Sequence, residues 1–329
     1  MIQFSIIVCT YNPNKNNLMR LLNALSKFSD NEIYFEILLV DNKSTYNIGL
    51  IDFVQKFVSN KSNNALVLIE ENLGLTSARL RGISESKYDW LIFFDDDNEP
   101  ASDYLVRVVK AIEQYPPAVW GPGIIKVEYI DESNNWLEKH KEVFQERNEV
   151  ETCFDNQLEW QRCYPFGTGM IIRRDIAIEY AARVNNDRYT LSDRKGKSLS
   201  SGGDVQLVFT AIEKGYCVGV IAGLELVHLI DASKANSAYM CRQQYGTASA
   251  TIKSYNQVFD QRPILVEMVT NKQIFLRIYS LYRIYRRHMC KKDFQLMLAS
   301  RLGELNAAVV ATEQKKPTLL WLSEILLNV

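Results

Sequence analysis

Three consecutive aspartates, Asp95, Asp96 and Asp97, follow the apolar run DWLIFF at residues 89–94. Adjacent carboxylates repel one another and raise each other's pKa unless a cation neutralises them. Carboxylate oxygens suit a hard divalent ion, and magnesium or manganese bound there could in turn hold a diphosphate. The aspartates therefore predict a metal and phosphate site. The alternative is a solvated turn, because aspartate also favours the start of a helix.

Further polar residues stand where other predicted strands end. The apolar runs at 4–10, 35–41 and 65–70 end at Thr10-Tyr11-Asn12, at Asp41-Asn42 and at Glu71-Asn72. In an open parallel sheet, ligands bind at the carboxyl ends of the strands. These residues are therefore expected to share one site with the three aspartates.

The segments between these runs predict helices. Apolar residues recur at helical spacing over 18–28, 50–58, 75–86 and 104–112, with Ser102 as an expected N-cap. Buried strands that alternate with helices predict an α/β fold, in which a mostly parallel sheet has helices on both faces.

The rest of the chain is less regular. We expect a strand over 124–130, a long loop or lid-like insertion over 131–163, and a strand and helix start within 165–175. We also expect a loop over 185–202, a helix from 202, a strand over 217–230 and helices from about 235.

Composition excludes several classes of protein. The 329 residues are 47% apolar and 23% charged, which is typical of a globular chain of one or two domains. A net charge of −1 gives no general attraction to nucleic acid. The six cysteines are scattered and form no CxxC pair, so neither a zinc site nor a disulfide framework is expected, and a cytoplasmic location is favoured. The N-terminus reads as a strand rather than a signal peptide, and no apolar run is long enough to span a bilayer.

Absent motifs narrow the choice of nucleotide-binding fold. The turn after the first strand is TYNPNKNN, so it is neither a GxGxxG dinucleotide fingerprint nor a Walker A loop. An aspartate-nucleophile phosphatase would carry its acidic pair after the first strand, and a sugar nucleotidyltransferase would carry a glycine-rich loop there.

Four segments in order, SIIVCTYNP, ILLVDNKST, ENLGLTSARLRGI and WLIFFDDDNEP, resemble the family 2 glycosyltransferases of the Rossmann-like GT-A fold. The resemblance covers residues 1–235. It implies a catalytic domain with a nucleotide-sugar half (1–115) and an acceptor half (116–235), followed by a helical extension (236–329). It also implies inverting transfer from a nucleotide-diphosphate sugar, with a UDP-sugar favoured and a divalent metal (Mn or Mg) as cofactor.

The resemblance assigns roles to individual residues. Asp97 and His228 are expected at the metal, Gly167 and Gly169 at the acceptor, and Asp204 as catalytic base. The residues implied at the nucleotide-sugar are Thr10, Tyr11, Asn12, Asp41, Asn72, Gly74, Arg79, Asp95 and Asp96.

Each assignment has a structural alternative. Arg79 could form an exposed helix salt bridge, Gly74 could serve a turn, and the two acceptor glycines could serve a hairpin or bulge. Asp204 could be an N-cap and His228 an ordinary structural residue. One departure weakens the match: Gly203 stands where the family often has the first acid of a pair, which leaves a catalytically inactive binding scaffold as an alternative.

The C-terminal part has its own pattern. Residues 263–292 combine an apolar helical stripe with a basic face, which suits peripheral contact with an anionic membrane or a packed helix with a solvated basic side. The final LLWLSEILLNV is too short to span and would pack on the core or on a second subunit. Processive polysaccharide synthases of this family carry a QxxRW motif, and its absence together with the absence of membrane spans favours the transfer of one sugar at a time. The resemblance implies a glycan or lipid-linked acceptor in bacterial surface polysaccharide synthesis, in the cytoplasm or at the inner face of the membrane.

Overall fold

The computed structural model describes residues 2–28, 33–60, 63–131, 133–191, 193–194, 199 and 201–329. Strands and helices alternate through the first half as predicted. The elements are β1 (Gln3–Thr10), α1 (Lys15–Leu25), β2 (Tyr34–Asp41), α2 (Asp52–Ser59), β3 (Ala65–Ile69), α3 (Leu75–Glu85), β4 (Trp90–Asp95), β5 (Asn98–Pro100) and α4 (Tyr104–Gln114).

The second half begins with a long strand and ends in helices. Its elements are β6 (Val119–Tyr129), α5 (Asn135–Glu138), β7 (Arg147–Asn148), β8 (Cys153–Asp155), β9 (Met170–Arg173), α6 (Arg174–Asn185), α7 (Gly203–Glu213), β10 (Val218–Ile230), α8 (Ser237–Val258), α9 (Asn271–His288), α10 (Lys291–Ala311) and α11 (Thr318–Leu327).

Within the described ranges the strands form one ten-stranded sheet in the order β3-β2-β1-β4-β9-β6-β10-β5, with β7 beside β6 and β8 beside β10. Strands β1 to β4 are parallel, and β9 runs antiparallel between β4 and β6. Because β10 is parallel to β6, the six long strands all point the same way. Their carboxyl ends therefore meet at one edge of the sheet.

The strands bury side chains on both faces of this sheet. Phe4, Ile6 and Val8 of β1 pack with α1, α2 and α4, whereas Ile7 and Cys9 pack with α3, α6 and α7. This alternation follows from the two-residue period of a strand. The expected helices on both faces of a mostly parallel sheet are confirmed.

Two local predictions were wrong. The N-cap of α4 is Asp103, not Ser102, and the carboxylate of Asp103 accepts from Arg107 Nε at 2.7 Å instead of capping the helix. The segment 131–163 is not a free loop, because β7 and β8 pair with β6 and β10 and a 3₁₀ turn covers Lys141–Phe144. Strands of two and three residues are too short to show a hydrophobic period.

The elements from residue 237 onward are helical, as predicted. Helix α10 packs on α8, and α9 and α11 pack on α10 through Ile274, Leu302 and Leu320. In the part of the chain that the structure describes, no helix combines the length and apolarity needed to cross a membrane. The division into domains at residue 235 stays a prediction.

Candidate active site

The three aspartates lie at the edge of a cavity of 250 Å³. Hydrogen bonding in the sheet places Cys9 beside Asp95 and Thr10 beside Asp41, so the ends of β1, β2 and β4 converge there. The cavity is lined by Cys9, Thr10, Tyr11, Asn42, Leu73, Gly74, Leu75, Ala78, Asp95, Asp96, Asp97, Arg194, Leu199, Lys234 and Tyr239. The sequence therefore predicted the location of this cavity and about half of its polar lining.

Three side chains contact the carboxylate of Asp97: Asn98 of β5, His228 of β10 and Lys234 of the loop after β10. Lys234 donates to its Oδ2, Asn98 Nδ2 donates to its Oδ1 at 3.1 Å, and His228 Nε2 lies 3.5 Å from the same Oδ1. The contact with His228 follows from the pairing of β5 with β10, which sets Asn98 opposite His228. Burial alone raises the pKa of Asp97, but Lys234 and His228 outweigh it and hold the pKa far below its usual range.

The ring of His228 is oriented by the insertion between β6 and β9. Its Nδ1 lies 2.8 Å from the carbonyl oxygen of Phe144, a geometry that places the proton on Nδ1. In the neutral ring Nε2 then carries the lone pair, which faces a carboxylate oxygen of Asp97. A ring nitrogen held through the opposite N–H is typical of a metal-ligating histidine. Asp97 and His228 thus fit a divalent ion.

Asp96 lies next to this pair in a different electrostatic setting. Its Oδ2 accepts from Thr10 Oγ1 at 2.5 Å. Burial and the neighbouring Asp97 raise the pKa of Asp96 to about 7, although Lys234 and Thr10 oppose the shift. Without a bound cation, Asp96 holds its proton at pH values where an exposed aspartate is ionised.

This shift makes stability depend on pH. The pKa of an aspartate in the unfolded chain is about 3.9. Between this pH and about 7 the folded state binds more protons than the unfolded state, so the folded state loses stability as pH rises. Asp96→Asn cannot ionise and keeps an acceptor for Thr10. The quantity to measure is the melting temperature of Asp96→Asn minus that of wild type, in buffer free of divalent ions. We expect this difference to increase by about 2 °C or more from pH 5 to pH 8. A difference that stays constant with pH would contradict the assignment. Asp103→Asn, at a half-buried position outside the cavity lining, is the control.

The loops after β1, β2 and β3 are tied together by amide side chains. Asn12 has a positive φ of 48°, its N–H donates to Ser44 Oγ at 2.8 Å, and its Oδ1 accepts from the N–H of Thr45. Asp41 is buried and accepts from the N–H of Ser44 at 3.0 Å. This network places Asn12 and Asp41 next to the cavity without making them part of its lining.

Asn42 connects β2 to the start of α3. Its Nδ2 donates to the carbonyl of Asn72 at 2.7 Å, and its Oδ1 accepts from the N–H of Gly74 at 2.7 Å. Gly74 has a φ of 137°, which favours glycine, and it is the N-cap residue of α3. Asn72 itself is exposed. The turn after β3 is thus fixed by Asn42, which the sequence placed at the end of β2 without assigning it this role.

Arg79 is buried, with 5% of its surface exposed, so the alternative of an exposed helix salt bridge is wrong. Its Nη1 donates to Asp193 Oδ2 at 2.8 Å. Burial alone would lower the pKa of Arg79, but the carboxylates of Asp193, Asp204 and Asp95 raise it. Arg79 is therefore a fixed positive charge between the aspartates of β4 and the start of α7.

Asp193 also explains the glycine at position 203. Its Oδ1 accepts from the N–H groups of Gly202 and Gly203, each at 2.8 Å, and so satisfies the free end of α7. A Cβ at position 203 would lie 2.2 Å from Asp193 Oδ2. A carboxylate from the preceding loop therefore occupies the space that a side chain at 203 would need.

Asp204 is the second residue of α7, whose N-cap is Gly202, so the N-cap alternative for Asp204 is wrong. A Cβ built on Gly167 would lie 3.0 Å from both Asp204 Oδ2 and Arg79 Nη2, so these two groups meet at Gly167. Burial and then Asp193 raise the pKa of Asp204, while Arg79 opposes the shift. Asp204 thus neighbours Arg79, and it lies outside the set of described residues that line the cavity.

Gly169 lies apart from both groups. Its φ is 68°, and its carbonyl accepts from the Tyr104 hydroxyl at 2.6 Å. A Cβ there would lie 2.5 Å from Leu226 and 2.7 Å from the Tyr104 oxygen. The backbone and the tight packing require glycine here, and a role in acceptor binding stays a prediction.

Sequence reasoning missed several charged or polar residues of the site, namely Asp193, Arg194, Lys234 and Tyr239. Lys234 follows β10 by four residues, so the rule that found the aspartates at the end of β4 could have found it as well. Asp193 and Arg194 stand in a polar loop with no regular pattern, and nothing in the sequence marks them.

Comparison with known protein families decides the membership of this chain. The profile described as Glycosyl transferase family 2 matches residues 5–181, which is more than half of the chain. This chain is a member of glycosyl transferase family 2. The predicted family is therefore confirmed, and with it the α/β GT-A architecture followed by a helical C-terminal region.

Curated relatives of this family 2 member match over shorter stretches. Glycosyltransferase AglE of Haloferax volcanii is 31% identical over 108 residues, which are 33% of this chain and 34% of that protein. The amylovoran biosynthesis glycosyltransferase AmsB of Erwinia amylovora is 31% identical over 115 residues, 34% of this chain and 36% of that protein. The chain spans about a third of the length of these relatives.

Among solved structures, this family 2 chain is similar to S. aureus TarS 1–349 in complex with UDP-GlcNAc. The two share 18% sequence identity with a TM-score of 0.49, over 95% of this chain and 91% of that chain.

Proposed function

We propose that this chain is an inverting, metal-dependent glycosyltransferase that moves one sugar from a nucleotide-diphosphate sugar to a hydroxyl of a glycan or lipid-linked acceptor. The observation that carries the proposal is the arrangement of Asp97 and His228 beside the cavity. Asp97 Oδ1 and His228 Nε2 lie 3.5 Å apart there, and the carbonyl of Phe144 orients the ring through Nδ1. Family membership supports sugar transfer as the chemistry.

Asp97 and His228 would hold a divalent ion, manganese or magnesium, and donor diphosphate oxygens would complete the ligand set. Within the described ranges, no group of three or more His, Cys, Asp or Glu residues could hold a metal ion. A bound divalent ion supplies Lewis-acid stabilisation for the charge of a departing diphosphate. Arg194 and Lys234 line the same cavity and add positive charge next to the expected phosphates.

The remaining residues would bind and activate the substrates. Thr10, Tyr11 and Gly74 line the cavity that we assign to the nucleotide-sugar, with Asp95 and Asp96 at its inner edge. Asp204 would accept the proton of the acceptor hydroxyl, since it lies at a helix start with a raised pKa. Attack from the side opposite the leaving diphosphate would invert the anomeric centre.

The catalytically inactive scaffold is less well supported. Its support in the sequence was Gly203, and Asp193 places a carboxylate next to that position from the preceding loop. Membership of a glycosyltransferase family also disfavours a sugar nucleotidyltransferase. AmsB is named for amylovoran biosynthesis, and we propose a similar role in surface glycan synthesis for this chain.

A donor screen tests the proposal directly. UDP-, GDP-, CDP- and dTDP-sugars are added with MnCl₂, and melting temperature and donor hydrolysis are both measured. A matching donor at 100 times its Kd stabilises the fold by about 2.7 kcal/mol, so we expect a rise of about 5 °C with UDP-sugars favoured. Slow hydrolysis of the same donor is expected. A shift without hydrolysis would favour the scaffold, and no shift with any donor would overturn nucleotide-sugar binding.

A further inference from the structure

Helix α9 is the most open of the elements that the sequence analysis singled out. Of its residues from Asn271 to His288, only Ile274 and Leu281 are buried. Phe275, Tyr279 and Tyr282 are 57%, 50% and 44% exposed. The predicted packed helix with a solvated basic side agrees with the packing of Ile274 against α10 and α11, but the exposed side of α9 carries aromatic rings as well as basic residues.

These three aromatic residues form a continuous strip. They follow one another at i, i+4 and i+7, and residues at this spacing lie on one side of a helix. The rings of Phe275 and Tyr279 stack with centroids 5.9 Å apart, and Tyr282 contacts the ring of Phe294 on α10 at 6.4 Å. Contiguous apolar surface of this kind marks a binding site more often than scattered exposed residues do.

Positive charges flank the strip. Lys272, Arg283 and Arg286 lie within three or four residues of its rings, and Arg277 and Arg287 extend the charge around the helix. Among the described residues, none of these five cations has a carboxylate within ion-pair distance. We call this surface the aromatic–arginine face, defined by Lys272, Phe275, Arg277, Tyr279, Tyr282, Arg283, Arg286 and Arg287.

The unpaired state of these cations contrasts with other surface arginines. Arg107 pairs with Asp103, and Arg301 pairs with Glu304, each at distances below 3 Å. The whole chain has a net charge of only −1, so the charge on α9 is a local excess. A local excess of positive charge next to exposed aromatic rings is complementary to an anionic partner with an apolar interior.

We propose that the aromatic–arginine face of α9 binds the surface of an anionic lipid bilayer. The guanidinium groups contact lipid phosphates while the aromatic rings lie at the level of the headgroups. A second copy of the chain fits less well, because a two-fold contact would set arginine against arginine. Helix α11, which packs on α9, also has the exposed apolar side chains Trp321, Ile325 and Leu326.

Vesicle sedimentation tests this proposal without reference to enzyme activity. The full chain is mixed with phosphatidylcholine vesicles that contain either no anionic lipid or about 30% phosphatidylglycerol. We expect binding to the anionic vesicles only, and weaker binding as salt rises. Arg283→Gln/Arg286→Gln/Arg287→Gln should lower the partition coefficient about 10²-fold, since each cation near an anionic surface contributes about fivefold.

Three control variants separate the causes. Lys27→Gln/Lys56→Gln/Lys110→Gln removes the same charge from exposed positions on or next to α1, α2 and α4, and should leave binding unchanged. Arg283→Lys/Arg286→Lys/Arg287→Lys keeps the charge and should retain binding. Phe275→Ala/Tyr279→Ala should lower binding about tenfold through loss of apolar contact. Circular dichroism confirms that each variant is folded.

Several outcomes would overturn the proposal. Equal binding to neutral vesicles or no binding to either kind would do so, as would a triple glutamine variant that binds like wild type. A wild-type dimer that the triple variant disrupts would assign the face to a second copy, and salt-sensitive binding to RNA in place of vesicles would assign it to nucleic acid.

Discussion

Replacing Asp204 with asparagine should lower the rate of sugar transfer by about 10³-fold while donor binding and the fold remain intact. Asparagine fills the same volume but cannot take a proton from the acceptor hydroxyl. The side chain lies beside Arg79 and Gly167 and outside the lining of the cavity that we assign to the donor, so donor affinity should not depend on it. Initial rates with the donor identified by the screen, together with the melting-temperature shift caused by that donor, measure the two effects separately.

The chain offers a close control for this substitution. Asp175 is the second residue of α6, as Asp204 is of α7, and it lies on the surface in an ion pair with Arg173. Asp175→Asn therefore reproduces the loss of a helix-start carboxylate and should leave the rate unchanged. Equal rates for Asp204→Asn and wild type would remove Asp204 as the base.

The pH profile gives a second readout of the same residue. Burial and Asp193 raise the pKa of Asp204, and a general base must be ionised to act. The rate should thus fall on the acid side at a pH above the usual range for aspartate. In Asp204→Asn that acid limb should disappear from the residual rate.

Replacing Asp97 with asparagine should cost both activity and stability. We expect transfer to fall by about 10²-fold or more, because the carboxylate that would hold the divalent ion is lost. Lys234 loses its partner in the same variant, and an uncompensated cation in this setting costs about 2–4 kcal/mol of unfolding free energy. Turnover at saturating donor and manganese and urea denaturation measure the two losses.

A double variant separates these two effects. Asp97→Asn/Lys234→Met removes both charges, so stability should return toward the wild-type value while activity stays low. Lys234→Met alone should retain donor-dependent manganese binding, measured by electron paramagnetic resonance, whereas Asp97→Asn should not. Manganese binding by Asp97→Asn with wild-type affinity would rule out Asp97 as a ligand.

The sequence alone determined the parallel strands of this protein and the edge of the sheet at which they end. The apolar runs ending at Thr10, Asp41 and Asp95 predicted β1, β2 and β4, and the observed strands end at those residues. This succeeded because a strand buried on both faces is apolar throughout, and because polar residues gather where such strands surface. Parallel strands bring their carboxyl ends to one edge, so the sequence also predicted that Thr10 and the aspartates share a cavity.

Only the tertiary structure decided the contacts that set the chemistry of the site. Asp193 contacts Gly203 and the distant Arg79, and Lys234 contacts Asp97 from the loop after β10. The Phe144 carbonyl comes from an insertion with no hydrophobic period, yet it fixes the ring of His228. Hydrophobic patterns report which side of an element is buried, whereas hydrogen bonds and charge pairs depend on which distant segments meet, and that is set by packing alone.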